Sequence, residues 1–328
     1  MEKALIASDL HVHFYKQFNE NGRRMQSGIA FLNYLFKLAD ANGIKYILFT
    51  GDLHNNMQII ATKVVKALAA CFQANFAAYP DVKFICISGN HDFADKNLID
   101  APGDSAMDSL AAVFPRFILL DQIPTGYTTA NGHMIHGVPY YDHAEHFRIA
   151  LSQAEKGVYL EDKNHFLLMH QSVDSGLPID DDIMCTDTLF DPFTMVFNGH
   201  IHHNKNVADF FINVGAPMHR DAGDVGHRRG FWIVDLDDPI DTISFMDITD
   251  KYPQFIHKFV GEPLSDWESQ QYVIWVQNPK MENSKDQEIT EKFNTSLAPK
   301  AILENYCKEV LSKDEFKDKL AYGLTLLS

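Results

Sequence analysis

Five polar clusters recur along the first two-thirds of the chain, and each stands where a short apolar run ends. Asp9-Leu10-His11 follows Lys3–Ser8, Gly51-Asp52-Leu53-His54 follows Tyr46–Thr50, and Gly89-Asn90-His91-Asp92 follows Lys83–Ser88. His170 closes Phe166–Met169, and Gly199-His200-Ile201-His202 closes Met195–Asn198. These short apolar runs read as strands. Helical stretches between them, Gln26–Ala41, Met57–Ala77 and Ala144–Lys156, predict an α/β fold; Ile60, Val64, Val65, Leu68 and Phe72 recur at helical spacing in the second. Further strands are expected at Phe210–Val214 and Phe231–Leu236. In such folds a ligand site assembles outside the carboxyl ends of the strands, which is where all five clusters fall.

Their chemistry points to metal ions. In an extended segment residues i and i+2 face one side, so Asp9 with His11, and His200 with His202, are each expected to present two ligands to one place. The glycines at 51, 89 and 199 are expected to allow tight turns off the sheet. Asp9, His11, Asp52, His170, His200 and His202 supply carboxylate oxygen or imidazole nitrogen, and Asn90 adds a neutral carbonyl oxygen. This set suits manganese, iron or zinc better than calcium or magnesium, and its lack of thiolate argues against a structural zinc site. Seven ligands are too many for one ion and suit two divalent cations that share a carboxylate, for which Asp52 is the candidate. Such ions, ~3.5–4 Å apart, clamp a phosphate for in-line attack. Any one motif is weak, since turns favour Gly, Asn and Asp in any case; the weight lies in five of them in order.

The net charge of -16 over 328 residues excludes a broadly basic surface of the kind a free-standing DNA-binding module needs. A nucleic-acid substrate would have to be attracted by bound cations, a basic partner or a local basic loop. The densest such loop is His219–Arg229, where Arg220, Arg228 and Arg229 are candidate phosphate contacts together with His54; the competing reading is a solvated loop paired with Asp221 and Asp224. Arg23 and Arg24 pose the same question, and Phe14, Tyr15, Tyr140 and Tyr141 are aromatic candidates for stacking or for packing. Cys71, Cys86, Cys185 and Cys307 form no metal-binding or redox pair. With no apolar run of membrane-spanning length and no signal-peptide layout, a cytoplasmic setting is expected.

Composition shifts near Tyr252-Pro253, which divides the chain into an expected catalytic domain at 1–254 and a small α+β capping and partner-binding region at 255–328. The latter would hold a strand at Gln271–Gln277 and helices near Ser284–Asn294, Ala301–Ser312 and Asp314–Leu327. Leu177–Pro192, rich in Asp, is expected to be a surface loop.

Taken together, Asp9-x-His11, Gly51-Asp52, Gly89-Asn90-His91-Asp92, His170 and Gly199-His200-x-His202 resemble the full signature of the calcineurin-like metallophosphoesterase superfamily. The resemblance implies a four-layer sandwich of two packed mixed β-sheets flanked by helices. It implies one cation on Asp9, His11, Asp52 and His202 and a second on Asp52, Asn90, His170 and His200. His91 would stabilise the transition state or protonate the leaving oxygen, with Asp92 orienting it. Phe211-Ile212-Asn213-Val214-Gly215-Ala216-Pro217 and Arg228-Arg229-Gly230-Phe231-Trp232-Ile233-Val234-Asp235 resemble the SbcD-type DNA-repair nucleases, most closely the phage-encoded ones, as does Leu303-Glu304-Asn305-Tyr306. That branch implies a manganese-dependent 3′ to 5′ exonuclease with endonuclease activity, homodimeric and working with an SbcC-type coiled-coil ATPase. Magnesium, iron and zinc are the other metals to consider. The chain departs from the branch in carrying Ala216 where Ser or Thr is commoner and Asn55 where His or Asp is commoner, with His54 one residue early. The same site motifs would also serve a small-molecule phosphodiesterase or phosphatase. A non-catalytic scaffold would be expected to have lost ligands, and here all seven and His91 are present.

Overall fold

A computed structural model of the chain describes residues 1–14, 22–55, 61–93, 105–123, 126–158, 163–173 and 188–276. The first elements alternate: β1 (Lys3–Ala7), α1 (Arg23–Ala41), β2 (Tyr46–Phe49), α2 (Thr62–Ala78), β3 (Lys83–Cys86), α3 (Asp108–Val113) and β4 (Phe117–Leu119). Next come β5 (Gly126–Thr128), β6 (Met134–Val138), α4 (Ala144–Glu155), β7 (His165–His170), β8 (Met195–Gly199), β9 (Lys205–Ala208) and β10 (Phe211–Asn213). The series closes with β11 (Gly230–Asp235), α5 (Pro239–Thr242), β12 (Ser244–Asp247), β13 (Phe255–Phe259) and β14 (Tyr272–Val276).

Two six-stranded mixed sheets result, ordered β12-β11-β1-β2-β3-β4 and β5-β6-β7-β8-β10-β9. In the first, β1 to β4 run parallel and β11 lies antiparallel to β1; in the second, β6, β7, β8 and β10 run parallel with antiparallel edges. Side chains of period two separate the layers. Ala4, Ile6, Leu48, Ile85, Phe166, Leu168, Phe197 and Val234 fill the space between the sheets. Leu5, Ala7, Ile47, Phe49 and Phe84 face the other way, against Phe31, Leu35 and Phe36 of α1 and Leu68 and Phe72 of α2. Leu167, Met169 and Val196 do the same beneath Phe147 and Leu151 of α4. The expected four-layer sandwich is therefore observed, with the sheets buried on both faces.

The departures have simple causes. β6 is buried along its whole length, yet His136 and Gly137 interrupt its apolar run. β4, β5, β9 and β12 are short edge or near-edge strands of three or four residues with partly exposed side chains. The second helix starts at Thr62, and Val65 on it is 40% exposed although its neighbour Val64 is buried. Of the Leu177–Pro192 segment, residues 177–187 lie outside the described part, and the remainder is not wholly surface: a 3-10 turn at Thr188–Phe190 buries Phe190 against β10. Cys71 and Cys86 are buried free thiols, while Cys185 and Cys307 lie outside the described residues.

The chain divides into two compact units, Met1–Ile256 with Gln270–Tyr272, and His257–Ser269 with the residues from Val273 on. In the first, the rings of Phe255 and Tyr272 stand 5.0 Å apart and the Arg24 guanidinium lies over both. In the second, Lys258 pairs with Glu268 at 2.7 Å. The strand expected at Gln271–Gln277 is observed as β14, whereas the three C-terminal helices fall outside the described residues. Among the described residues no helix is long and apolar enough to cross a membrane.

Candidate metal centre

The first two clusters extend the pairing of β1 with β2 beyond the strands. Asp9 N donates to Gly51 O at 3.0 Å, His11 N to Asp52 O at 2.9 Å and Val12 N to Leu53 O at 2.9 Å. The backbone there is not extended. Asp9, His11, Asp52 and His200 have φ of 51°, 46°, 58° and 72°, and they are the only non-glycine residues in the left-handed region among those described. All four are expected metal ligands. Each such residue costs about 1–2 kcal/mol, strain that persists only where the surroundings enforce it and that concentrates at functional sites. The side-by-side presentation expected from an extended i, i+2 pair is thus corrected: left-handed turns bring the same side chains together. Gly51 has the positive φ of a turn, but Gly89 and Gly199 serve close approach. A methyl group at Gly89 would collide with the Asp52 carboxylate, and one at Gly199 with Thr50 O and the His170 ring.

All seven expected ligands converge. His11 Nε2 lies 3.7 Å from Asp9 Oδ1, 3.4 Å from Asp52 Oδ2 and 3.2 Å from His202 Nε2, and His202 Nε2 lies 3.6 Å from Asp9 Oδ1. On the other side His170 Nε2 stands 3.5 Å from Asp52 Oδ2 and 3.2 Å from Asn90 Oδ1, which is also 3.1 Å from His200 Nδ1. Asp52 Oδ2 therefore lies between the two groups. Two buried atoms in this cluster, Asp9 Oδ2 and His11 Nδ1, have no hydrogen-bond partner. Lone pairs crowded together with too few protons to share among them fit cations.

The surroundings prepare the donors. Thr50 O lies 2.7 Å from His170 Nδ1. A carbonyl only accepts, so Nδ1 carries a proton, and Nε2 is the nitrogen left to face a cation. Burial lowers His11 to about 3 and His200 to about 4, which keeps both rings neutral. Burial opposes ionisation of Asp9 and Asp52, yet the facing histidines hold both carboxyls well below the usual range. His170, which burial would also lower, is held up at about 9 by Asp52, so a cation arriving at its Nε2 takes the place of a proton.

His91 borders this cluster. Its N donates to Asp52 Oδ1 at 2.8 Å, its ring stands edge-on to His11 at 4.8 Å, and its Nδ1 lies 3.1 Å from Asn55 O. The expectation that Asp92 orients His91 is corrected. The Asp92 carboxylate is buried and accepts from the backbone N–H groups of Asp52, Leu53, His54 and Gly89, and from His54 Nδ1 at 2.9 Å. Asp92 shapes the loop that carries Asp52 and orients His54, while the carbonyl of Asn55 orients His91. No sequence signal marks that carbonyl, because every residue has one.

The basic loop divides sharply. Arg220 reaches the cluster: its Nη1 lies 2.8 Å from His202 Nε2 and its Nη2 donates to Asn55 Oδ1 at 3.1 Å. Arg228 is exposed and pairs with Asp247 at 2.6 Å. Arg229, expected among the substrate contacts, is fully buried; it pairs with Asp224 and donates to His202 O at 2.7 Å. Arg229 braces the backbone of an expected metal ligand, and its burial keeps it from a substrate. Arg229→Met leaves Asp224 buried and unpaired, a loss of about 3–5 kcal/mol, so the melting temperature is expected to fall by roughly 10 °C. The exposed pair is worth about 0–1 kcal/mol, so Arg228→Ala should melt within a few degrees of the parent; calorimetry of the two variants checks both. Arg24 is likewise a brace, donating to the carbonyls of His219 and Arg220. Tyr140 lies beside His200 with ring centroids 5.7 Å apart, Phe14 lies under Lys63, Tyr141 is half-buried, and Tyr15 is outside the described residues.

Two mixed sheets that carry carboxylate, amide and imidazole ligands to one cluster define a metal-dependent phosphoester hydrolase with a site suited to two metal ions. The sequence pattern of the calcineurin-like phosphoesterases matches residues 3–204, and the chain belongs to that family. Similar solved structures include the protein TT1561 of Thermus thermophilus, with TM-score 0.44 and 13% identity over 75% of this chain and 98% of that one. A dimetal phosphatase from Danio rerio gives 0.47 and 9% over 76% and 99%. GAP50, the anchor in the inner membrane complex of Plasmodium, gives 0.42 and 11% over 76% and 85%. No curated protein matches the chain.

Proposed function

We propose that this chain hydrolyses phosphodiester bonds in DNA, as the nuclease subunit of an SbcCD-like repair or recombination complex, with manganese as the working metal. The observation that carries the hydrolytic reading is the convergence of six ligands with Asp52. Four of the seven are held in left-handed backbone, and a fifth, His170, is oriented through its second ring nitrogen. Support for DNA comes from the segments that resemble the SbcD-type nucleases, because they touch the site. Ala216 N donates to His202 O at 3.0 Å, and Arg229 holds the same carbonyl. A homodimer and an SbcC-type ATPase partner belong to the same reading, and a partner would supply the positive surface that a net charge of -16 withholds.

When bound, the cations acidify a water near neutral pH and neutralise charge on the phosphate. The protein's own groups do the rest. Asp52 holds the two sets of ligands together, and Asp92 holds the loop that presents it. His91, its Nδ1 proton donated to Asn55 O, acts as the imidazolium: the second proton, on Nε2, is the one given or hydrogen-bonded to the leaving 3′-oxygen, and the ring is left neutral. Arg220, whose guanidinium reaches His202, is the basic side chain of the loop that would meet the phosphate.

The acidic charge favours a second reading, cleavage of a small-molecule phosphodiester. Linear duplex DNA, cyclic nucleotides and an aryl phosphodiester compared in manganese separate the two. Degradation of duplex DNA, faster with an SbcC-type ATPase, is the expected result. Turnover of cyclic nucleotides with intact DNA, with or without that partner, would establish the second reading instead.

A further inference from the structure

Arg220 is held in an unusual way. Its N donates to Asp224 Oδ2 at 2.5 Å, and its carbonyl accepts from Arg24 Nη2 at 2.6 Å, so its backbone is tied from both sides. Its side chain is hydrogen-bonded through Nη1 and Nη2. A guanidinium only donates, so His202 Nε2, 2.8 Å from Nη1, must accept with its lone pair. That is the lone pair which, on the reading above, binds the first cation. One lone pair cannot serve a guanidinium and a metal ion together, and two positive charges repel at that distance. A cavity borders the arrangement, lined by Asp9, His11, His13, Arg24, Met218 and Arg220.

We propose that Arg220 is a cation-displaced anion clamp. It holds His202 Nε2 until the first cation takes that nitrogen, and the released guanidinium then binds the non-bridging oxygens of the substrate phosphate. A planar two-pronged donor matches a phosphate edge, and beside bound cations an anion is the partner left for a guanidinium. Asn55 is the pivot, since its side-chain oxygen accepts from Arg220 while its carbonyl orients His91. Clamp and leaving-group residue thus meet on one residue. The proposal rests on the two-cation reading and adds an order of events to it.

The test uses the full-length chain stripped of metal. Manganese binding is measured by titration calorimetry for the parent and for Arg220→Gln, and then the binding of inorganic phosphate to each loaded protein. Loss of a charge-assisted hydrogen bond that competes with the ion should tighten manganese binding on the order of tenfold. Loss of the fork should weaken phosphate binding by a similar factor, with opposite sign. Arg220→Lys, which keeps the charge without the fork, should recover only part of the phosphate affinity. If Arg220→Gln binds manganese no more tightly than the parent, or binds phosphate equally well, the clamp is wrong. If the parent itself takes up no manganese, the two-cation reading fails and the clamp with it.

Discussion

Asp52→Ala is expected to lose both metal ions together and, with them, phosphoester hydrolysis. Asp52 Oδ2 is 3.4 Å from His11 Nε2 and 3.5 Å from His170 Nε2, so one oxygen faces both sets of ligands. Its other oxygen accepts from His91 N, which keeps the carboxylate from rotating away. Without it each set loses the shared carboxylate: one keeps Asp9 with His11 and His202, the other only Asn90 with His170 and His200, and both are poorer holders of a hard cation. Because Lewis-acid stabilisation is worth several kcal/mol, activity should fall on the order of a thousandfold or more. Metal content per chain is the decisive measurement. A variant that keeps one tightly held ion would show that Asp52 does not bridge.

His91→Ala should behave in the opposite way, keeping both ions and losing turnover on the order of a hundredfold to ten-thousandfold, the range for a positioned proton donor. The bond that ties position 91 to Asp52 comes from the backbone N, so the substitution leaves it intact. Loss should fall mainly on kcat, and a substrate with a good leaving group should recover much of it, since it needs no proton. Near-normal rates on DNA would remove His91 from the mechanism. Read side by side, the two variants separate holding the metal from using it.

How much of this was legible in the chain follows from particular residues. Phe49 and Leu48, or Leu167 and Leu168, show a strand buried on two faces by apolarity alone, and the expected strands match within a residue or two. β6 is hidden because His136 and Gly137 break its apolar run; His136 Nε2 pairs there with His165 Nδ1 at 2.9 Å, on the adjacent strand. The resemblance implies that Asp92 orients His91. The tight turn at Gly89-Asn90-His91-Asp92 sends the carboxylate back to the 51–54 loop instead, where it accepts from three N–H groups, and it also accepts from the N–H of Gly89. Arg220 and Arg229, alike in type and in the same loop, end in opposite environments.

Residue types and their order along the chain determined which atoms are available to ligate, that they follow apolar strands, and that they are too many for one ion. Only the tertiary structure decided where each of those atoms points. His11 and His202 are 191 residues apart, and they meet at 3.2 Å because two sheets pack face to face and left-handed turns swing the loops between them. Donor chemistry belongs to a side chain and travels with it. Direction and burial depend on backbone angles and on neighbours distant in the chain, so the roles of Asp92, Arg220 and Arg229 emerged only once the chain was folded.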